Sequence, residues 1–194
     1  MGRWEPDALA RLQQAAGELF LEQGYEGTTV AQIAERAGLT PRTFFRYFTD
    51  KKEVLFAGTE VFEALVIEGV RTSTATDLLE RVVGSFEALA PQHFDARAAA
   101  VRRRRAIIES SPELQEREHQ KMVRIGNQVA DLLVGPGVDA GAARFAADLG
   151  VLIFRTAFAR WTGTGEGTLE ARIRETLGEL RVLAHPSTVN LPPA

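Results

Sequence analysis

The sequence predicts an all-α protein with an N-terminal three-helix unit and a larger C-terminal helical bundle. Three observations carry that reading. Apolar residues recur at spacings of three and four along nearly the whole chain, and no stretch alternates with a period of two. Residues suited to capping, Asp7, Thr29, Thr40 and Asp50, stand where periodic stretches begin. Glycine, proline and serine stand between the stretches, at Gly24, Gly38, Pro91, Ser110-Ser111-Pro112, Gly135-Pro136-Gly137 and Gly163 to Gly167.

The first helix, capped by Asp7, carries the stripe Leu9, Leu12, Ala16, Leu19 and Phe20 and ends at Gly24. A short second helix follows Thr29, with Val30, Ile33, Ala34 and Ala37 on one side, and Gly38 breaks it. Thr40 caps the third, with Pro41 at the first helical position, where a missing N–H costs nothing. Asp50 caps a fourth, with Glu53 as its capping-box partner, and this helix is expected to run from 51 to about Val70. Further helices are expected over 77–90, 95–109, 112–134, 139–162 and 168–184. The domains expected are 1–50, a helix-turn-helix unit, and 51–186, a bundle for ligand binding and dimerisation. Residues 187–194 are expected to be a disordered tail.

Cysteine is absent, which excludes a disulfide framework and a thiolate metal site and fits a reducing compartment. No apolar run approaches the ~18 to 20 residues of a membrane span, and the first eight residues lack the apolar core of a signal peptide. A cytoplasmic protein is expected. The net charge of −3 argues against a globally basic nucleic-acid binder. Locally the balance reverses: from Thr40 to Lys52, Arg42, Arg46, Lys51 and Lys52 oppose Asp50 alone.

That reversal falls within TTVAQIAERAGLTPRTFFRYFTDK, Thr28 to Lys51. Two short helices are joined by a tight turn at Ala37-Gly38-Leu39. Phe44 and Phe48, four apart, share one face, and the opposite side presents Arg42, Phe45 and Arg46. Such a helix suits the major groove, where arginine pairs with guanine O6 and N7. Thr43 and Tyr47 offer hydroxyls. Lys51, at a helix start, is placed to favour phosphate. The ordered set Thr29, Ile33, Ala34, Ala37, Gly38, Thr40, Thr43, Phe44, Phe48 and Lys51 resembles the N-terminal domain of the TetR family over roughly residues 7–56. The departures are Phe45 for the family's usual tyrosine, Tyr47 for its histidine, and Arg42 where a small residue is common. The resemblance implies a homodimeric regulator, most often a repressor, that binds a palindromic operator in double-stranded DNA and is released by a small-molecule effector. The DNA-contacting residues it implies are Thr28, Thr29, Thr40, Pro41, Arg42, Thr43, Phe45, Arg46, Tyr47 and Lys51.

The rest of the chain is less specific. The stretch 139–162 is apolar on all sides, which calls for a partner surface. With the single stripe of 168–184 it gives a candidate dimer interface of Leu149, Ile153, Ile173, Leu177 and Leu180. Phe86, Met122, Phe154 and Trp161 are candidate ligand contacts, though large apolar residues in a bundle form core more often. Arg102 to Arg105 cannot share one solvated face, since successive residues turn by ~100°; ion pairs such as Arg105 with Glu109, packing against the DNA-binding unit, or an anionic ligand are the alternatives. His93, His119 and His185 are far apart, so neither a metal site nor a cofactor is expected. No nucleophile motif or paired-carboxylate constellation supports an enzyme; the competing reading is a helical ligand-binding or enzymatic protein without DNA binding.

Overall fold

The structure, a computed structural model, describes residues 7–184. The expected tail at 187–194, the end of the expected bundle at 186 and His185 lie outside the described residues. Every regular element among the described residues is a helix. In order these are α1 (Ala8–Gln23), α2 (Val30–Arg36), α3 (Pro41–Tyr47), α4 (Glu53–Phe56), α5 (Thr59–Thr72), α6 (Leu78–Leu89), α7 (Ala98–Glu109), α8 (Pro112–Leu133), α9 (Ala140–Thr164) and α10 (Leu169–Ala184). No described helix is long and apolar enough to cross a membrane.

Two expectations about helix boundaries are corrected. The single fourth helix is two helices: Gly58 takes a φ of +85° and Ala57 an extended ψ, which interrupts the ladder between α4 and α5. The break expected at Pro91 is instead a widened helical turn. Proline has no N–H to donate, so the register slips through a π-helical segment, Ala90–Phe94, and a 3-10 turn, Asp95–Arg97, before α7. Two local roles also differ. Asp7 precedes α1 without a side-chain capping bond, and Leu9 is exposed. Asp50 Oδ1 does accept the backbone N–H groups of Lys52 and Glu53, but the Glu53 carboxylate turns away to pair with Arg117.

The chain forms two compact units. The first comprises the described part of Met1–Phe62 together with Ala99–Lys121; the second comprises Glu63–Ala98 and the described part of Met122–Ala194. These units depart from the expected domains 1–50 and 51–186. The change of unit falls inside α5 and inside α8.

The first unit has one apolar core. Leu12, Ala16, Leu19 and Phe20 of α1 meet Ile33 and Ala34 of α2, Phe44 and Phe48 around α3, and Val54 and Phe56 of α4. Ile107 and Ile108 of α7 and Leu114 of α8 belong to the same core. Each large side chain buried there contributes ~1.5–3 kcal/mol. Arg104 lies with this unit. It donates to the Leu55 carbonyl (2.8 Å), pairs with Glu118 and stacks on Phe56, while Arg105 pairs with Glu109 as the four-residue spacing suggests.

In the second unit α9 packs against both α6 and α10, which also touch each other. Phe86 stacks on Phe154 with centroids 4.4 Å apart, and the row of rings continues through Phe94, Phe158 and Trp161. Gly150 of α9 is buried against Val82 of α6, and a methyl group there would stand 2.9 Å from the Val82 Cβ. Gly84, in the middle of α6, faces no atom within 4 Å. The two glycines should therefore respond with opposite signs. Gly150→Ala should cost ~1–3 kcal/mol by overpacking, whereas Gly84→Ala should gain up to ~1 kcal/mol from helix propensity. Urea denaturation of both variants checks the pair; equal signs would contradict the close approach of α6 and α9.

Candidate nucleic-acid interface

The helix-turn-helix is built from its caps inward. Thr29 Oγ1 accepts the Gln32 N–H (3.3 Å), and Gln32 Oε1 in return accepts the Thr29 N–H (2.8 Å), a reciprocal capping box that starts α2. Thr40 Oγ1 accepts the Thr43 N–H (3.2 Å) and starts α3, with Pro41 as its first residue. Between them Gly38 holds a φ of +66°, which a side chain would resist. From α1, Arg11 closes over this turn: its Nε donates to the Ala37 carbonyl (2.9 Å) and its Nη2 to the Ala37 and Gly38 carbonyls. The guanidinium lies so close that a Cβ on Gly38 would stand 2.8 Å from Nη2.

With Phe44 and Phe48 buried, α3 turns its other side outward. Arg42, Phe45 and Arg46 are exposed, Phe45 by 58%. Arg42 makes no hydrogen bond or ion pair among the described residues. Arg46 lies against Tyr47, its Nη2 3.1 Å from the hydroxyl and its guanidinium carbon 5.0 Å from the ring centre. Thr43 and Tyr47 are half-buried at the edge of this face, and Thr29, Thr40 and Pro41 are exposed.

Two members of the expected contact set are corrected. Thr28 is buried, and its hydroxyl donates to the Gly24 carbonyl (2.7 Å), so it closes a turn and offers nothing outward. Lys51 is bound inside the unit. Its Nζ donates to the carbonyls of Tyr25 (2.7 Å) and Thr28 (3.1 Å) and sits 4.1 Å from the Tyr25 ring centre. The neighbouring Lys52 reaches Glu113 of α8 (2.9 Å), whose other oxygen accepts the Tyr25 hydroxyl. The hydrogen bond from Lys52 holds the Glu113 carboxyl below the usual carboxylate range. Burial, aided by Glu113, pushes the Tyr25 hydroxyl up. Sequence reasoning missed Arg11, Tyr25, Gln32 and Glu113. Only Gln32 left a signal, since glutamine three residues after threonine is a capping pattern.

The other candidate residues lie in the second unit. Phe86, Met122, Phe154 and Trp161 are all buried, three of them in the row of rings described above. Of the expected dimer residues, Ile153, Ile173 and Leu177 are buried within the chain itself, because α9 and α10 turn them toward their own core; Leu149 and Leu180 are half-buried. The exposed apolar residues on these helices are others: Phe145 (67%) and Leu152 (56%) on α9, Val182 and Leu183 on α10.

Residues 12–57, spanning α1 to the end of α4, match the sequence pattern described as bacterial regulatory proteins, tetR family. This N-terminal segment is similar to the DNA-binding part of the TetR family. The HTH-type transcriptional regulator TcmR of Streptomyces glaucescens is 40% identical to the protein over 80 residues, 41% of this chain and 35% of the relative. This match spans about a third of that relative's length. The crystal structure of a protein assigned to the TetR-family transcriptional regulators of Syntrophomonas wolfei has a TM-score of 0.63 at 20% identity, covering 96% of this chain and 99% of that one. FadR of Thermus thermophilus, a TetR-family transcriptional repressor in complex with lauroyl-CoA, has a TM-score of 0.55 at 22% identity, covering 96% and 98%. At these identities the structural likeness shows a shared fold alone.

The position of Lys51 can be tested directly. Lys51→Met removes two hydrogen bonds to carbonyls, and at ~0.5–1.5 kcal/mol each the unfolding free energy should fall by about 1–3 kcal/mol. Urea denaturation without DNA reads this. A lysine serving phosphate alone would leave that stability unchanged.

Proposed function

We propose that the chain is a sequence-specific DNA-binding transcription regulator that acts as a homodimer and answers to a small-molecule effector. The observation that supports this best is the exposed side of α3. Its two arginines and a phenylalanine face outward, Arg42 has no partner among the described residues, and the helix is held by caps and by Arg11 at its turn. In the major groove Arg42 and Arg46 read guanine edges, Thr43 and Tyr47 supply hydroxyls to bases or phosphates, and Phe45 packs against a thymine methyl or a sugar.

Dimerisation follows from α9 and α10. Phe145, Leu149 and Leu152 fall at i, i+4 and i+7 on α9, a single stripe, of which Phe145 and Leu152 are exposed. A second copy of the same surface covers it in an isologous contact, and the two recognition helices then read a palindrome with half-sites about one helical turn apart, ~34–36 Å, or a multiple of it. The effector is small and largely apolar, met by the rings of Phe86, Phe154 and Trp161 with Met122. FadR, whose fold this chain shares, is in complex with an acyl-CoA. Because binding linkage is reciprocal, an effector that weakens DNA binding must itself be weakened by DNA to the same factor.

Two measurements test the reading. Selection from a random duplex pool should yield a palindromic site. On that site Arg42→Ala or Arg46→Ala should cost ~1–3 kcal/mol and relax preference at one base pair for each bidentate arginine–guanine pairing removed. Retention of wild-type affinity and preference by both variants would overturn the assignment to α3. Separately, Leu152→Glu should convert a dimer into a folded monomer in sedimentation, because a charge in a dry interface is costly. A wild-type chain that sediments as a monomer at micromolar concentration would remove the dimer.

A further inference from the structure

One carboxylate, far along the chain, ties together the two turns that bracket the helix-turn-helix. Glu113 is the second residue of α8. Its Oε2 accepts the Tyr25 hydroxyl at 3.1 Å and its Oε1 accepts Lys52 Nζ at 2.9 Å. Tyr25 lies in the turn before α2, and Lys52 in the turn after α3. The same two turns are joined a second time from within, by the bonds of Lys51 to the Tyr25 and Thr28 carbonyls. Thr28 in turn precedes Thr29, the cap of α2. Beside Glu113, Ser111 Oγ stands 3.3 Å from a Glu26 carboxylate oxygen, a further link to the turn before α2.

Energetics separate a positioning role from a stabilising one. The Glu113 side chain is 49% exposed. Exposed ion pairs contribute little to stability, a median of about 0–1 kcal/mol, and the apolar core already fastens α8 to this unit through Leu114. What Glu113 adds is geometry: it fixes the position of one turn relative to the other, and so the angle at which the α2–α3 pair is offered to a duplex. Electrostatics alone would favour its absence, because a carboxylate beside a DNA-binding surface repels phosphate.

We propose that Glu113 is a positioning residue for DNA binding. By holding the turns before α2 and after α3 in register, it lets α8 set the affinity of a helix-turn-helix that ends about 60 residues earlier. The inference rests on the DNA-binding reading above.

The test uses the full chain and the duplex that the wild-type chain selects from a random pool. Glu113→Gln removes the charge, and Glu113→Asp keeps it but shortens the reach to both partners. Both variants should bind that duplex about 3- to 30-fold more weakly, with melting temperatures close to wild type. In both, amide hydrogen exchange at Thr29–Gln32 and Lys51–Glu53 should quicken while exchange in α1 does not. Binding by either variant that equals or exceeds wild type would overturn the positioning role, and a tighter Glu113→Gln alone would show that the residue acts only as a repelling charge. A wild-type chain that selects no duplex would overturn the DNA-binding reading itself, and this inference with it.

Discussion

Helices as short as α2 and α3, seven residues each, do not stand in water on their own. Everything about the N-terminal unit follows from that constraint. Their conformation is held by Ile33, Ala34, Phe44 and Phe48 entering one core with α1 and α4, and that core is closed by Ile107, Ile108 and Leu114. The helix-turn-helix is thus completed by a hairpin of α7 and α8 that follows it by about fifty residues. A segment ending at residue 50 would leave this core open on one side, which is why the compact unit does not coincide with the domain that local sequence suggests.

Around the core, charge is used to fasten helices. Arg104 and Arg117 lie 5.1 and 4.8 Å from the Phe56 ring centre, Arg117 grips Glu53 with two nitrogens, and Glu118 accepts both Arg104 and Lys121. Burial pushes the Glu118 carboxyl up, but the two cations outweigh it and hold it below the usual range. Burial likewise pushes the Lys121 ammonium down, against the pull of Glu118. A pair of this kind adds little net stability, but loss of one partner leaves a buried charge uncompensated. The position of α4 therefore depends on α7 and α8 through polar contacts as well as apolar ones.

The parts of this structure that were legible in the sequence are those decided by near neighbours. Thr29 and Thr40 announce their helices because a cap acts within three residues, and Phe44 and Phe48 announce a buried face because four residues make one helical turn. The pairing of Arg105 with Glu109 follows from the same spacing. What was not legible is decided across the chain. Nothing near Arg11 says that it closes the turn at Ala37, 26 residues away. Nothing near Lys51 says that its ammonium is taken by two carbonyls rather than left for phosphate. The apolar surround of 139–162 was legible, but which of its residues meet the chain's own core depends on where α6 and α10 lie. That choice exchanges Ile153 for Leu152 and Phe145 as the outward set. The slip through Pro91 and the break at Gly58 also reflect a choice that packing makes and propensity does not.

The proposed DNA-binding role requires an acidic chain to suit a polyanion. At physiological salt, charges more than ~8 Å apart through solvent are largely screened, so the net charge of −3 matters less than the charges on the outward side of α3. There the count is small. Lys51, Lys52 and Arg36 are engaged with carbonyls, Glu113 and Glu22, and of the cations on α3 Arg42 has no partner among the described residues. Among the described residues a single copy would then offer few phosphate contacts on this face, and its non-specific affinity should be correspondingly low. In the proposed dimer, two copies joined through α9 and α10 would present the same few contacts twice, and the second engagement would become intramolecular, which can raise avidity by factors of ~10² to 10⁴ without any new contact. That gain depends on both recognition helices meeting the duplex at once. With so few free charges on each, orientation governs affinity more than attraction does, and the groups that fix the turns beside α2 and α3 weigh as heavily as those that face the DNA.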